Sequence, residues 1–226
     1  MRVRNEKARL GVAVAAALAP RGLRRLLHTR LLGYDLHPAA RVGRSVIAVG
    51  ELRMAAGAVI GGLNYLAHVD RVSLAEDAMI GHLNWISGVR ASADAFPGIE
   101  RRSWLTLHRG AHIGFQHYVD CCDHVELEEM ALLGGIRSQL LTHWAEIDTG
   151  KLNCRPVRIG ARSLLHTGLI ITAGSDIAPR SVVAAGAVVS GPLTEPDTFY
   201  AGVPARARRA LSPDSGLFTR TNTVIR

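Results

Sequence analysis

The stretch VRIGARSLLHTGLIITAGSDIAPRSVVAAGAVV, residues 157–189, returns an aliphatic side chain at every sixth position: Ile159, Leu165, Ile171, Ile177, Val183 and Val189. A helix repeats at about 3.6 residues and a strand at about 2, so neither explains this spacing. Four positions after the first five of these stand Ser163, Leu169, Ser175, Ser181 and Ala187, all but one small. Repeats of this length form parallel β-helices, in which three short strands close a triangular coil of about 18 residues and successive coils stack. One coil cannot bury its own inward side chains. Stacking turns them into continuous ladders while each backbone pairs with the coils above and below, and small residues at the corners let the chain turn closely.

The same phase reaches back through most of the chain. It runs through Leu36, Val42, Ala48, Met54, Ile60, Leu66 and Val72, slips by two, and resumes at Leu74, Ile80 and Ile86. IGGLNYL at 60–66 reappears as IGHLNWI at 80–86, which makes a coil here twenty residues long. After a break at residues 89–102, the phase returns at Leu107, Ile113, Val119 and Val125, slips by two again, and continues through Leu127 and Leu133. The two slips, VSLAEDAMIG and VELEEMALLG, have one form, which marks true internal repetition. Residues 138–156 lose the phase. The expected organisation is therefore an N-terminal helical segment (1–35), a three-sided prism (36–190) with loops leaving it at 89–102 and 138–156, and a C-terminal segment (191–226). The polar residues from Ser212 on read as a tail, mobile or packed on a neighbour.

Composition agrees with a narrow column: 48% of the residues are hydrophobic, but only 5% are aromatic, and there are 23 glycines. Cys121, Cys122 and Cys154 have no metal-ligand spacing, and an odd number with two adjacent points to a reducing compartment and structural thiols. The net charge of +8 calls for an anionic partner, whether nucleic acid, a membrane surface or a phosphate-bearing small molecule. No aromatic residues interleave with the basic ones to stack bases, which argues against nucleic acid. Much of the charge is N-terminal: Arg2, Arg4, Lys7, Arg9, Arg21, Arg24, Arg25 and Arg30. Residues 3–32 read as one or two helices broken at Pro20 and Gly22, with Leu23, Leu26, Leu27, Leu31 and Leu32 on an apolar side and arginines on the other. The apolar run Leu10–Ala19 falls short of the about 20 residues that span a bilayer. Such a segment either caps the open end of the prism or also rests on an anionic membrane face.

The strict hexads of 157–189, the Gly/Pro break GPLTEP at 191–196 and the segment AGVPARARR at 201–209 together resemble the end of the left-handed β-helix acyltransferases of the hexapeptide-repeat superfamily. The resemblance covers roughly residues 36–211, and is nearest to the O-acetyltransferases of bacterial polysaccharides, of the colanic-acid type. It implies an all-β, left-handed parallel β-helix, a homotrimer, acetyl-CoA or another acyl-CoA as donor, and a hydroxyl or amine acceptor, most readily a sugar. It implies a catalytic histidine just before the closing hexads, where Thr142-His143 stands, with Glu146 and Asp148 as acidic neighbours to hold its tautomer. A neutral imidazole there can take the proton of a hydroxyl that attacks a thioester. A second constellation, Gln116-His117-Tyr118-Val119-Asp120, matches a His-Tyr-x-Asp pattern of related enzymes. It puts His117 and Asp120 outside the inward ladder, facing a groove between subunits, His117 as acceptor contact or alternative base. Arg137 and Ser138 are further acceptor contacts. On the donor side the resemblance assigns Gly168, Ala185 and Gly186 to the pantetheine arm, with His166 standing where a glycine is usual. Arg206 and Arg208 are assigned to the CoA phosphates, which guanidinium forks match. With these assignments go a cytoplasmic place, at or near the inner face of the cell membrane, and no metal.

Two rivals share the prism. A γ-carbonic-anhydrase-like zinc site needs three histidines between subunits, and although His112 and His117 have the spacing His-x4-His, Ile80-Gly81-His82 has Ser87 where the next ligand should stand. A non-catalytic scaffold needs neither a loop histidine nor a basic C-terminal segment.

Overall fold

The computed structural model describes residue 3 and residues 5–222; Met1, Arg2, Arg4 and residues 223–226 lie outside the described residues. Among the described residues, the hexads fold into three sheets of seven, nine and seven short strands. Almost all pairings are parallel, each strand lying on the one a full coil away. In the second sheet Ile60, Ile80, Ile113, Leu133, Leu165 and Val183 stand directly over one another. All six are fully buried. The corner positions Ser163, Leu169, Ser175, Ser181 and Ala187 are buried as well. Coils of twenty residues (Ile60 to Ile80, Ile113 to Leu133) give way to eighteen (Leu165 to Val183).

The first loop leaves where expected, between Trp85–Ser87 and Trp104–Leu107. The second starts later than the sequence suggests. Gln139–Leu140 is still a rung, pairing with Tyr118–Val119 on one side and Ile170–Ile171 on the other. A bulge in the pairing of His112–Phe115 with Leu132–Ile136 puts seven positions between Leu133 and Leu140 where six separate Ile113 and Val119. The extra residue hides this rung from a strict six-residue count. The true excursion begins at Leu141 and contains an antiparallel hairpin, His143–Ala145 with Leu152–Cys154.

At the N-terminal end lie α1 (Glu6–Leu18), capped by the Asn5 carboxamide on Ala8 N–H, α2 (Arg21–Leu26) and a π-helical turn, Leu27–Leu31. The expected sidedness is inverted in part: Leu32 is buried as expected, and Leu27 and Leu31 are half-buried. Arg9 and Arg24 are buried, whereas Leu23 and Leu26 are exposed. The first coil explains this, because no coil lies beyond it to take its backbone carbonyls. Arg9 donates to Val49 O at 2.7 Å and Gly50 O at 3.2 Å, Arg24 to Val42 O at 3.0 Å, Arg25 to Leu36 O at 2.8 Å, and the Tyr34 hydroxyl to Ile47 O at 2.9 Å. A buried acceptor left without a donor costs about 1–3 kcal/mol, and a guanidinium brings five donors on one rigid fork. Ala13 joins the core beneath, so the segment does cap the prism.

The other end is closed by Thr198–Ala201, parallel to Val182–Val183, and by Arg206–Ala210, antiparallel to Thr198–Ala201. The described part of the tail, residues 212–222, packs on its own prism: a short helix, α3 (Gly216–Thr219), buries Phe218, and Arg162 donates to Phe218 O at 2.6 Å and Arg220 O at 3.0 Å.

Burial of His28 and His117, both almost wholly inaccessible, pushes each imidazole down to about 4, with the Arg24 charge adding to the effect at His28 and His112 adding to it at His117. The unfolded chain binds these protons near the ordinary imidazole value of about 6.5. Between the two values it holds more protons than the fold, so stability is full above about 6.5 and falls as the pH drops toward 4. Burial pushes His112 down to about 4 as well, and three imidazoles give a slope of about 4 kcal/mol per pH unit at most. Urea midpoints are expected to be level from pH 8 to 7 and to drop steeply from 6 to 4.5; a level midpoint across that range would refute this account.

Candidate active site

Both loops leave the prism at the corner where the third sheet passes to the first. Between them, on the intervening coil, the strand Tyr118–Asp120 ends. Val119 points into the core, so Tyr118 and Asp120, two residues apart, share the outward face. Asp120 is nevertheless buried, because the second loop folds over it. His143, the first residue of that loop's hairpin, places Nδ1 at 2.6 Å from Asp120 Oδ2 while its side chain stays 38% exposed. Thr142 completes the joint: its N–H donates to Asp120 Oδ2 at 2.9 Å and its hydroxyl to Asp120 O at 3.0 Å. Cys122 N–H donates to Oδ1 at 3.0 Å.

Burial alone would raise the Asp120 carboxyl. Hydrogen bonds from Cys122, His143 and Thr142, with the nearby imidazole, outweigh it and hold the carboxyl below its ordinary value. An ionised carboxylate on Nδ1 keeps the proton there and leaves Nε2 as the lone-pair nitrogen, or as an acid once protonated. The first loop supplies the wall. The Phe96 ring meets His143 edge-on, centroids 6.2 Å apart, and packs with Cys122 and Cys154 in a small satellite core. Arg101 lies over the Phe96 ring at 4.5 Å and donates to Cys122 O at 2.8 Å, locking the first loop to the coil. Burial and the Asp120 charge push the Cys122 thiol far up, which favours its protonated form beside the carboxylate. Asp120, Cys122 and His143 bring one ligand atom each to within 4.8 Å of one another. Asp120 Oδ2 faces His143 Nδ1, and its Oδ1 accepts from the Cys122 backbone N–H.

Glu146 does not reach His143; it accepts from the Trp144 indole at 3.4 Å. Asp148 is exposed in the hairpin turn. Nor does His117 face outward. It is buried in the corner between the second and third sheets, in a polar ladder: Asn64 N–H to Ser45 Oγ, Asn84 N–H to Asn64 Oδ1, His117 N–H to Asn84 Oδ1, Ser138 N–H to His117 Nδ1, and Leu169 N–H to Ser138 Oγ. The distances are 2.9–3.2 Å. His117 and Ser138 thus do an asparagine's work of satisfying a neighbouring coil, and Asp120 turns away from His117 to His143. Arg137 stays exposed beside them.

The residues assigned to the donor lie elsewhere on the same chain. Gly168, Ala185 and Gly186 are exposed on the corner between the second and third sheets, stacked so that Gly186 N–H donates to Thr167 O at 3.0 Å. A side chain added at Gly168 or Gly186 would meet nothing, so a ligand can lie flat against this edge. His166 is exposed at its rim, and Arg206 and Arg208 are exposed on the closing strand. Sequence reasoning missed one feature altogether. The outward face of the third sheet carries an aromatic strip, in which Tyr65, Trp85 and Tyr118 stand in register, with Tyr65 and Trp85 rings 4.6 Å apart. Trp85 is 53% and Tyr118 38% exposed, and Tyr118 leads directly to Asp120.

No family model matches the chain, and no curated protein matches it. Among solved structures, the chain is similar to a polysialic acid O-acetyltransferase, 12% identical, with a TM-score of 0.51 over 78% of this chain and 84% of that one. It is also similar to a hexapeptide-repeat acetyltransferase from Vibrio cholerae O1 biovar eltor, solved with acetyl coenzyme A, 18% identical, with a TM-score of 0.47 over 91% of this chain and 88% of that one. The likeness to the first, together with the stacked hexads and three parallel sheets, establishes the architecture: a left-handed parallel β-helix built from hexapeptide repeats.

Proposed function

We propose that the chain is an acyl-CoA-dependent O-acyltransferase that moves acetyl from acetyl-CoA to a hydroxyl of a sugar, with His143 as general base and Asp120 as its positioning residue. The observation that carries this reading is the partly exposed imidazole of His143 bound through Nδ1 to buried, ionised Asp120 at the end of an aromatic strip. Nε2 takes the proton of the acceptor hydroxyl as its oxygen attacks the thioester carbonyl. On collapse the C–S bond breaks and the imidazolium returns the proton to the sulfur of CoA. Exposed aromatic rings beside such a base suit the apolar face of a pyranose, and an O-acetyltransferase of a sugar polymer has this fold.

His143 and the stacked glycine edge occupy different corners of the prism, with the third sheet between them. A second copy that brings its glycine edge to the first copy's His143 would complete the site, which supports a trimer with three shared sites. Ile147, 94% exposed at the tip of the hairpin, is placed to reach such a neighbour.

The test is release of free thiol from acetyl-CoA across a panel of mono- and oligosaccharides, alongside zinc analysis of the purified protein. Acceptor-dependent release is expected. Stoichiometric zinc bound through Asp120, Cys122 and His143, with no transfer to any acceptor, would replace this reading with a metal enzyme. Trp85→Ala is expected to raise the acceptor KM about tenfold, the loss of about 1.4 kcal/mol of stacking and burial, with the acetyl-CoA KM and the oligomer size unchanged. An unchanged acceptor KM would remove the strip from the acceptor site.

A further inference from the structure

The capping helices turn the wrong residues outward for a segment that serves only the prism. In α1, Arg9, Ala13 and Ala16 face in, whereas Leu10, Val14 and Leu18, an i, i+4, i+8 row, are 36%, 43% and 78% exposed. In α2, Arg24 is buried, and Leu23 and Leu26 are 48% and 52% exposed. The sequence holds larger apolar residues than the alanines it buries, and leaves them in water.

The polar surroundings of this apolar face carry an excess of one sign. Lys7 stands three residues before Leu10 on the α1 row, Arg30 four residues after Leu26, and Arg21 between the helices, all exposed. A cleft between α2 and the first coil is lined by Arg21, Arg24, Arg25 and Arg41, with no acidic residue among its lining. Of the two acidic residues between positions 5 and 44, Glu6 is paired with Arg90, which leaves Asp35.

We propose that this face is a membrane-docking surface: α1 and α2 lie in the plane of an anionic bilayer, with Leu10, Val14, Leu18, Leu23 and Leu26 in the acyl boundary and Lys7, Arg21, Arg30 and Arg41 on lipid phosphates. The charge selects this occupant. An apolar face whose rim carries an excess of cations, with Glu6 held by Arg90, is complementary to anionic headgroups, whereas a second copy would bring the same cations against themselves. No helix among the described residues is long and apolar enough to cross a membrane, so the helices lie on the surface and do not span it. Guanidinium forks match lipid phosphate as they match any phosphate. The proposal does not depend on the acyl-transfer reading.

The test is flotation of the full chain with phosphatidylcholine vesicles, with and without 30 mol% phosphatidylglycerol (about a third anionic, enough for a strong surface potential). Binding to the anionic vesicles at least about tenfold stronger than to neutral ones, and weakened by salt, is expected. Leu18→Ser/Leu23→Ser/Leu26→Ser is expected to lose about tenfold or more in binding, with the chain still folding cooperatively and oligomer size unchanged, because none of these side chains belongs to the core of the prism. Arg21→Gln/Arg30→Gln is expected to lose the preference for anionic over neutral vesicles. Failure of the wild-type chain to float would overturn the proposal, as would undiminished binding by the triple serine variant. A triple variant of altered oligomer size, with a wild type that ignores vesicles, would assign the face to a second copy instead.

Discussion

His143→Ala is expected to reduce acetyl transfer by about 10²–10⁴-fold, the range a positioned general base supplies, with little change in the KM for acetyl-CoA. The imidazole is half in water and makes one strong bond, to Asp120, so its removal takes away the proton acceptor without opening the core. Asp120→Asn is expected to cost transfer by about 10²-fold or more, since a neutral amide no longer holds the Nδ1 proton or steadies the imidazolium. Asp120 also accepts from Thr142 and Cys122, so that variant is read with its thermal unfolding beside it. The control is His117→Asn, which restores the residue type found at Asn64 and Asn84 on the same corner and is expected to keep full transfer. His143→Ala within threefold of wild type would refute the assignment. So would loss of transfer in a folded His117→Asn chain.

The contrast between these two histidines shows how far the sequence could be read. The inward ladder was legible because burial repeats every six residues within each run of strands, and the two slips share one form. The polar corner was legible too, had the third copy been aligned: IGGLN at 60–64 and IGHLN at 80–84 are followed by IGFQH at 113–117, which puts His117 on the site of two buried asparagines. The pairing of Asp120 with His143 was not legible. It depends on one coil lying over the next, on where the second loop departs, and on the bulge that shifts Leu140 by one residue. The place of the arginines on the N-terminal helices was misread for a different reason. An arginine is ordinarily a surface residue, and only the structure reveals a ring of unpaired carbonyls at the first coil that needs donors more than it needs leucines.

Gly81→Ala is expected to be among the most damaging single changes in the prism, at about 3–5 kcal/mol, or a fall in Tm of about 10 °C. Gly43, Gly61 and Gly81 stack at the corner where the second sheet passes to the third, and none has positive φ. They are glycine for space: a Cβ on Gly61 would stand within 3.0 Å of Gly81 O, and one on Gly81 within 3.0 Å of Gly114 O. Those obstacles are backbone. They cannot swing aside, because Gly81 N–H donates to Ile113 O at 2.8 Å and the Asn84 amide donates to Gly114 O at 3.0 Å. One methyl group therefore pushes two coils apart along a whole corner and loosens the polar ladder beside it. Gly186→Ala provides the comparison. Its added Cβ meets nothing, but its φ is +70°, so only the left-handed conformation is penalised, by about 1–2 kcal/mol and a few degrees of Tm. Thermal unfolding of the two variants decides between the mechanisms. A Gly81→Ala chain as stable as Gly186→Ala would mean that the coils can separate at this corner without loss.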